Sequence, residues 1–175
     1  MCWTKSNGGG TPSAYTGPGF AHSGSQFMYI EASDPAKPGY RGVMESTCYF
    51  DLRTATNPFL EFYYHMYGAD IGSLEVYHRT LNDDPSTNDI SASSSWGVWT
   101  KWKKSGQQHT ASTSSWTKAQ IVLPLEVVQI NINGIRGGWQ SDMAIDSIRI
   151  DIQDSSPPPP PLPAPPPQPP LPPSP

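Results

Sequence analysis

The sequence is poor in charge, in cysteine and in long apolar runs, and each shortage removes a class of protein. Eleven Lys and Arg stand against fifteen Asp and Glu, for a formal charge of −4. The basic residues are scattered, so no cationic stripe exists to follow a phosphate backbone and no nucleic-acid partner is expected. No apolar run approaches the roughly 20 residues of a bilayer crossing, so no membrane span is expected in this chain. There are two cysteines, Cys2 and Cys48. They allow one disulfide, or equally two thiols buried as small apolar side chains. No Cys-x-x-Cys or His-x-x-x-His pair occurs, which leaves zinc without a ligand set. The opening MCWTKSNGGG lacks the charged-then-apolar layout of a secretory signal. The expectation from this is a piece of a longer exported protein, with a cytosolic domain as the other reading.

What the chain has in plenty is proline, glycine, serine and threonine, unevenly spread. From Pro157 to Pro175, 14 of 19 residues are proline. Proline fixes φ and removes the backbone donor, so residues 155–175 are predicted to form an extended polyproline II stem or linker beyond a domain at 1–154. At about 3.1 Å per residue such a stem reaches roughly 60 Å. Its P-x-x-P matches also fit an SH3 or WW ligand, although any proline-dense tract contains them. The tail resembles the Ser-Pro-containing stalks of wall glycoproteins, which would make it an O-glycosylated stem.

Upstream, the hydrophobic period is two. In FLEFYYHMY, Leu60, Phe62, Tyr64 and Met66 share one face, while Phe59, Glu61, Tyr63, His65 and Tyr67 share the other. SLEVYHR at 73–79 repeats the pattern with Leu74 and Val76 inward, so the two stretches read as a hairpin with a longer loop between Gly68 and Gly72. Further strands are predicted at 27–32, 43–50, 97–104, 118–124, 127–134 and 143–152. In the last, Ile148, Ile150 and Ile152 are out of phase with Ile145, which places a bulge near Asp146. Eight short strands without a helical stripe predict an all-β, antiparallel jelly-roll-type β-sandwich.

Seven blocks in order, from CWTKSNGGGTPSAYTGP through FMYIEAS, CYFDL, FLEFYYHMYGADIGSLEVY, WTKWKKSGQQ and SSWTKAQIVL to GIRGGWQSDMAIDSIRI, together resemble a MAM domain. This is the extracellular module of meprins, neuropilins and some receptor-type tyrosine phosphatases. The resemblance covers Trp3 to Ile152. It implies a non-catalytic adhesion or recognition module at the cell surface or outside the cell, binding proteins and in some cases itself. A first strand usual in animal members and the four-cysteine pattern are both absent, so an incomplete sheet edge is expected and the family's disulfides do not carry over.

The candidate site residues follow. The resemblance implies calcium near the last strand, carried here by Asp146 and more weakly by Asp142; capping of turns by the same carboxylates is the other reading. Trp139, Arg136 and Tyr67 are the expected partner-binding residues, because rigid sandwiches place recognition on their loops. A carbohydrate-binding module is the alternative function, with Trp139 as its exposed ring. Trp96, Trp99 and Trp102 alternate along a strand and cannot form one platform, so at least one belongs to the core. His65 is expected to hydrogen-bond within the sheet or to a loop; His22, His78 and His109 are scattered. Glu31 and Glu61 could pair as glycosidase carboxylates, but a cross-strand cation such as Arg79 or Arg149 is the simpler explanation of Glu61, and no enzymatic activity is expected.

Overall fold

In the computed structural model, which describes residues 1–33, 35, 37–80 and 102–154, every regular element among those residues is a strand. The ten strands are β1 (Trp3–Lys5), β2 (Met28–Ile30), β3 (Arg41–Glu45), β4 (Phe50–Asp51), β5 (Ala55–Met66), β6 (Ser73–Thr80), β7 (Trp102–Ser105), β8 (Thr117–Val122), β9 (Val127–Ile135) and β10 (Met143–Asp154). They form two antiparallel sheets. One has the order β1-β2-β10-β5-β8, the other β3-β9-β6-β7 with β4 also against β9. Consecutive strands repeatedly change sheet, and the result is a jelly-roll-type sandwich as predicted.

The core lies where the alternation placed it. Leu60, Phe62, Tyr64 and Met66 of β5 face Leu74 and Val76 of β6 and Val128, Ile130 and Ile132 of β9, all buried. Fully burying one such side chain is worth about 1.5–3 kcal/mol. Trp102 joins this core edge-on to Phe62 and Tyr64. Trp96, Trp99, the 97–101 part of the expected strand and the proline-rich 155–175 lie outside the described residues.

The predicted hairpin is not formed. β5 and β6 lie in different sheets, because their apolar faces meet each other across the core instead of lying side by side. The 67–72 link between them is pinned at both ends. A Cβ on Gly68 would stand 2.2 Å from the Gln140 carbonyl oxygen, and one on Gly72 would stand 2.0 Å from that of Ile135. The predicted 43–50 strand is likewise two strands, β3 and β4, both paired with β9. The Ser46 hydroxyl holds the break, donating to the Cys48 carbonyl at 3.0 Å and accepting from the Ile130 N–H at 3.1 Å.

The bulge near Asp146 is present: the β10–β5 register slips between Asp146 and Arg149, and Ser147 takes a φ of 54°. The outer face of β5, mixed in sequence, is largely covered. Phe27, Trp116 and Ala144 make a second small core with Tyr63 and Tyr29, and His22 stacks on Tyr63 at 3.5 Å.

Candidate functional site

Loops 11–18, 67–72 and 136–142 meet at one end of the sandwich because each satisfies backbone groups of another. The Thr16 hydroxyl accepts from the Asp142 N–H at 2.8 Å and donates to the Tyr67 carbonyl at 3.1 Å. Gly17 N–H reaches the same Tyr67 carbonyl at 2.8 Å, Asp70 N–H reaches the Gln140 carbonyl at 3.2 Å, and Gly138 N–H reaches that of Asp70 at 2.9 Å. Buried backbone polar groups must be paired, so these bonds fix the loops to one another.

At the base of this end lie two carboxylates. Asp142 is wholly buried; its Oδ1 accepts from the Ala32 N–H at 2.8 Å, and its Oδ2 has no partner. Glu31, next to Ala32, accepts at Oε1 from the Ser13 hydroxyl and the Ser33 N–H, each at 3.0 Å, while Oε2 is buried without a partner. Burial pushes the Asp142 carboxyl up to about 7, the Ala32 N–H opposes that rise, the Glu31 charge adds to it, and the approach of the Thr11 side chain opposes it least. Burial also raises the nearby Tyr29 phenol, with smaller contributions from Glu31 and Asp142. Two buried, orphaned carboxylate oxygens in one neighbourhood are costly alone. They are the hard donors that calcium takes, completed by carbonyls and water. Among the described residues no three His, Cys, Asp or Glu side chains converge, so the carboxylate share of such a site is this pair.

Asp146 makes a different set of contacts. Its Oδ2 accepts from the N–H groups of His22 at 2.8 Å and Ser23 at 3.1 Å, and its Oδ1 from that of Ser147 at 2.6 Å. That is the turn-capping role, held by the bulge. The two aspartates expected together thus make separate sets of contacts, and the carboxylate whose charge acts on Asp142 is Glu31, 111 positions earlier and named in the sequence only as a glycosidase carboxylate.

Around the rim stand exposed rings. Trp139 is 56% exposed, as predicted, and Tyr15 is 73% and Tyr40 46% exposed. The last two were missed; the Gly- and Ser-rich turns SAYTGPG and KPGYRG around them are the signal that could have found them. Tyr67 is half-buried. Arg136 needs correction as a contact residue, since only 4% of it is exposed. Its N–H donates to the Tyr40 carbonyl and its carbonyl accepts from the Gly39 N–H, so it braces the loop instead of fronting it.

The remaining candidates are structural. His65 is fully buried and stacked on His109 at 4.2 Å. Burial, with the His109 charge, drives its pKa down to about 4, opposed by backbone groups of Ser114 and Ala111 in the loop above it. His109 Nδ1 accepts from the Met66 N–H at 3.0 Å, which places its proton on Nε2, facing Thr117 Oγ1 at 3.1 Å. Glu61 is held by Lys118 at 3.0 Å, Gln120 at 2.7 Å and Arg149 at 2.8 Å. The Lys118 contact leads in keeping its carboxyl low, so it is a poor proton acceptor.

Cys2 and Cys48 are both free and exposed, neither bridged nor buried. Cys2 precedes β1, and Cys48 sits in the turn between β3 and β4. Two thiols are expected to react with Ellman's reagent in the native, unreduced protein; titration of none would mean that a disulfide closes.

The family model for the MAM domain, meprin/A5/mu, matches residues 2–156. MAM domain-containing glycosylphosphatidylinositol anchor protein 2 of Mus musculus is 31% identical over 164 residues, covering 85% of this chain and 16% of that protein. Thyroid hormone-induced protein B of Xenopus laevis is 34% identical over 158 residues, covering 86% of this chain and 20% of that protein. The chain thus spans a fifth or less of these relatives. Among solved structures, the K3 cleaved adhesin domain of Lys-gingipain from Porphyromonas gingivalis superposes with a TM-score of 0.55 at 13% identity, covering 85% of this chain and 90% of that one. At that identity the likeness is one of fold.

Proposed function

The chain belongs to the MAM domain family, and from that premise we propose that it is a non-catalytic recognition module displayed outside the cell, binding other proteins through the loop end that carries Trp139, Tyr15 and Tyr40. The observation that carries this reading is the set of exposed rings on loops clamped to a sandwich. Aromatic side chains there offer large contact area at small entropic cost, and rigid loops add little more. The names of the relatives, glycosylphosphatidylinositol anchor proteins among them, support a place at the cell surface. The proline-rich 155–175 then serves as a spacer. Calcium, held by Asp142 and Glu31, would brace the base of the same loops by neutralising two buried carboxylates.

Probing an array of secreted and cell-surface ectodomains beside a glycan array tests the reading with the full chain. Wild type is expected to mark ectodomains, and Trp139→Ala to weaken the signal by about tenfold or more, as loss of a Trp anchor does. Signal on glycans alone would favour the carbohydrate-binding alternative, which the exposed Trp139 ring also supports. An empty ectodomain array would overturn the proposal.

A further inference from the structure

The link between β7 and β8, GQQHTASTSSW at 106–116, carries a single large apolar side chain, Trp116. Such a segment belongs in water, yet His109 and Trp116 are both buried. Both sit against His65 of β5, His109 stacked on it and Trp116 edge-on at 5.6 Å. Two imidazoles stacked out of water stay there only while both are neutral, because a charge on either is desolvated and faces the other ring. His109 Nδ1 already accepts from the Met66 N–H at 3.0 Å, so a second proton on that ring sets donor against donor and ends the bond. The surroundings offer no counter-charge. β10 places Ala144 beside His65. On the same face of β5, Tyr63 is stacked with His22, and Glu61 is held by Lys118 and Arg149. His22 meets Trp116 edge-on at 6.5 Å with its N–H on Asp146, and Tyr64 meets His109 edge-on at 5.8 Å. Among the described residues no carboxylate acts on either ring.

The loop above this pair is fastened at two places. The Gln108 and His109 N–H groups donate to the Met66 carbonyl at 2.9 and 3.1 Å, and Tyr67, the next residue, forms a backbone bridge with His109. At the other fastening the Ser112 carbonyl accepts from the Gly19 N–H at 2.8 Å, and the Trp116 indole N–H donates to the Phe20 carbonyl at 3.1 Å. Gly19 and Phe20 continue the segment that presents Tyr15 and whose Thr16 and Gly17 reach the Tyr67 carbonyl. One loop therefore ties down two of the three segments that build the recognition end.

We infer that the 106–116 loop is an acid-released clasp: protonation of the His65–His109 pair lifts it off the sandwich and slackens the segments at 11–20 and 67–72, so that the recognition end lets go of its partner in acid. Only the last step rests on the recognition reading. Hydrogen exchange on the full chain in chelator, at pH 7.5 and 4.5 with labelling times scaled to the intrinsic rate, reads the clasp without a partner. Opening returns His65 from about 4 to its ordinary 6.5, so the open population grows on the order of tenfold per pH unit between those values. Protection at 106–116 is expected to fall about fiftyfold at pH 4.5, with a smaller fall at 11–20, while β9 keeps its protection. Asp142 loses its charge over the same interval, but its protonation favours the folded form and cannot mimic the opening.

His65→Phe keeps a flat ring, takes no proton and should hold the loop closed at pH 4.5. Ring NMR on the wild type tests the same point without any variant: the His65 imidazole should titrate below pH 5, in step with the loss of protection. A His65 that titrates near 6.5, protection at 106–116 that is equal at the two pH values, or a loss shared equally by β9 would overturn the clasp. Where the ectodomain array gives a signal, that signal should drop at pH 4.5 in wild type and persist in His65→Phe. A wild-type signal that persists while the loop is open would overturn the coupling. An empty array would overturn the reading of the rim and leave the exchange result standing.

Discussion

Millimolar calcium is expected to raise the melting temperature of the full chain by about 5–10 °C at pH 7.5, and by far less at pH 5. At about a hundredfold excess over Kd a ligand adds about 2.7 kcal/mol, and each kcal/mol moves Tm by about 2–4 °C in a chain of this size. The pH dependence comes from Asp142. Its carboxyl is raised from 3.8 to about 7, so the folded protein holds this proton more tightly than the unfolded chain does. The resulting stability is fully present below 3.8 and is lost as pH rises through 7. At about 1.4 kcal/mol per pH unit the loss is on the order of 4 kcal/mol. Calcium binds the ionised form, so protons compete with it below that range. His65 works in the opposite direction: lowered from 6.5 to about 4, it contributes stability above 6.5 that is lost as pH falls through 4. The two slopes oppose each other in the metal-free protein, and Asp142→Asn separates them. That variant keeps an acceptor for the Ala32 N–H, removes a buried charge and is expected to melt higher than wild type in chelator at pH 7.5, with no calcium response. Asp146→Asn should instead melt lower and keep the response. An unchanged calcium shift in Asp142→Asn would rule out the Glu31–Asp142 pair as the site.

Gly68→Ala is expected to cost about 4 kcal/mol in a urea titration, a large part of the stability of an ordinary domain. Two penalties coincide there. The φ of 144° is one that L side chains rarely adopt, worth about 1–3 kcal/mol, and the new methyl group would stand 2.2 Å from the Gln140 carbonyl oxygen and 2.7 Å from Thr16 Oγ1. Displacing Gln140 or Thr16 disturbs Asp142 on both sides, so the calcium response should fall with stability. Gly24→Ala is the control. Its φ is 65° but nothing lies within 4 Å of the added carbon, so only the backbone term, about 1 kcal/mol, remains. Equal losses in the two variants would show that the close packing of the 67–72 link does not matter.

What the sequence made legible is what short-range periodicity encodes. The inward faces of β5 and β6 and the bulge in β10 follow from alternation within one strand. Alternation does not say which sheet a strand joins, so the 59–67 and 73–79 stretches read as a hairpin although they face each other across the core. It also does not reveal what covers a strand's second face. The second face of β5 read as mixed because what covers it is distant in the chain: Lys118, Gln120 and Arg149 close over Glu61, and Trp116 and His109 over His65. The candidate site suffered most. Asp142 was named, but Glu31 and the rim residues Tyr15 and Tyr40 come from segments distant from it in the chain. Arg136 looked like a surface residue because nothing local signals that its backbone closes onto Tyr40 and Gly39.

The pairing of β5 with β10 has a consequence for how this domain is made. These are the two longest strands, and they join residues 55–66 to 143–154, so the central ladder of one sheet consists of contacts between chain segments synthesised far apart in time. Domains dominated by such distant contacts fold slowly. On the ribosome, β2 and β5 emerge early and wait with bare edges until β10 follows, a period in which chaperone cover matters more than final stability. A chain interrupted before Met143 would lack the strand that β2 and β5 both need.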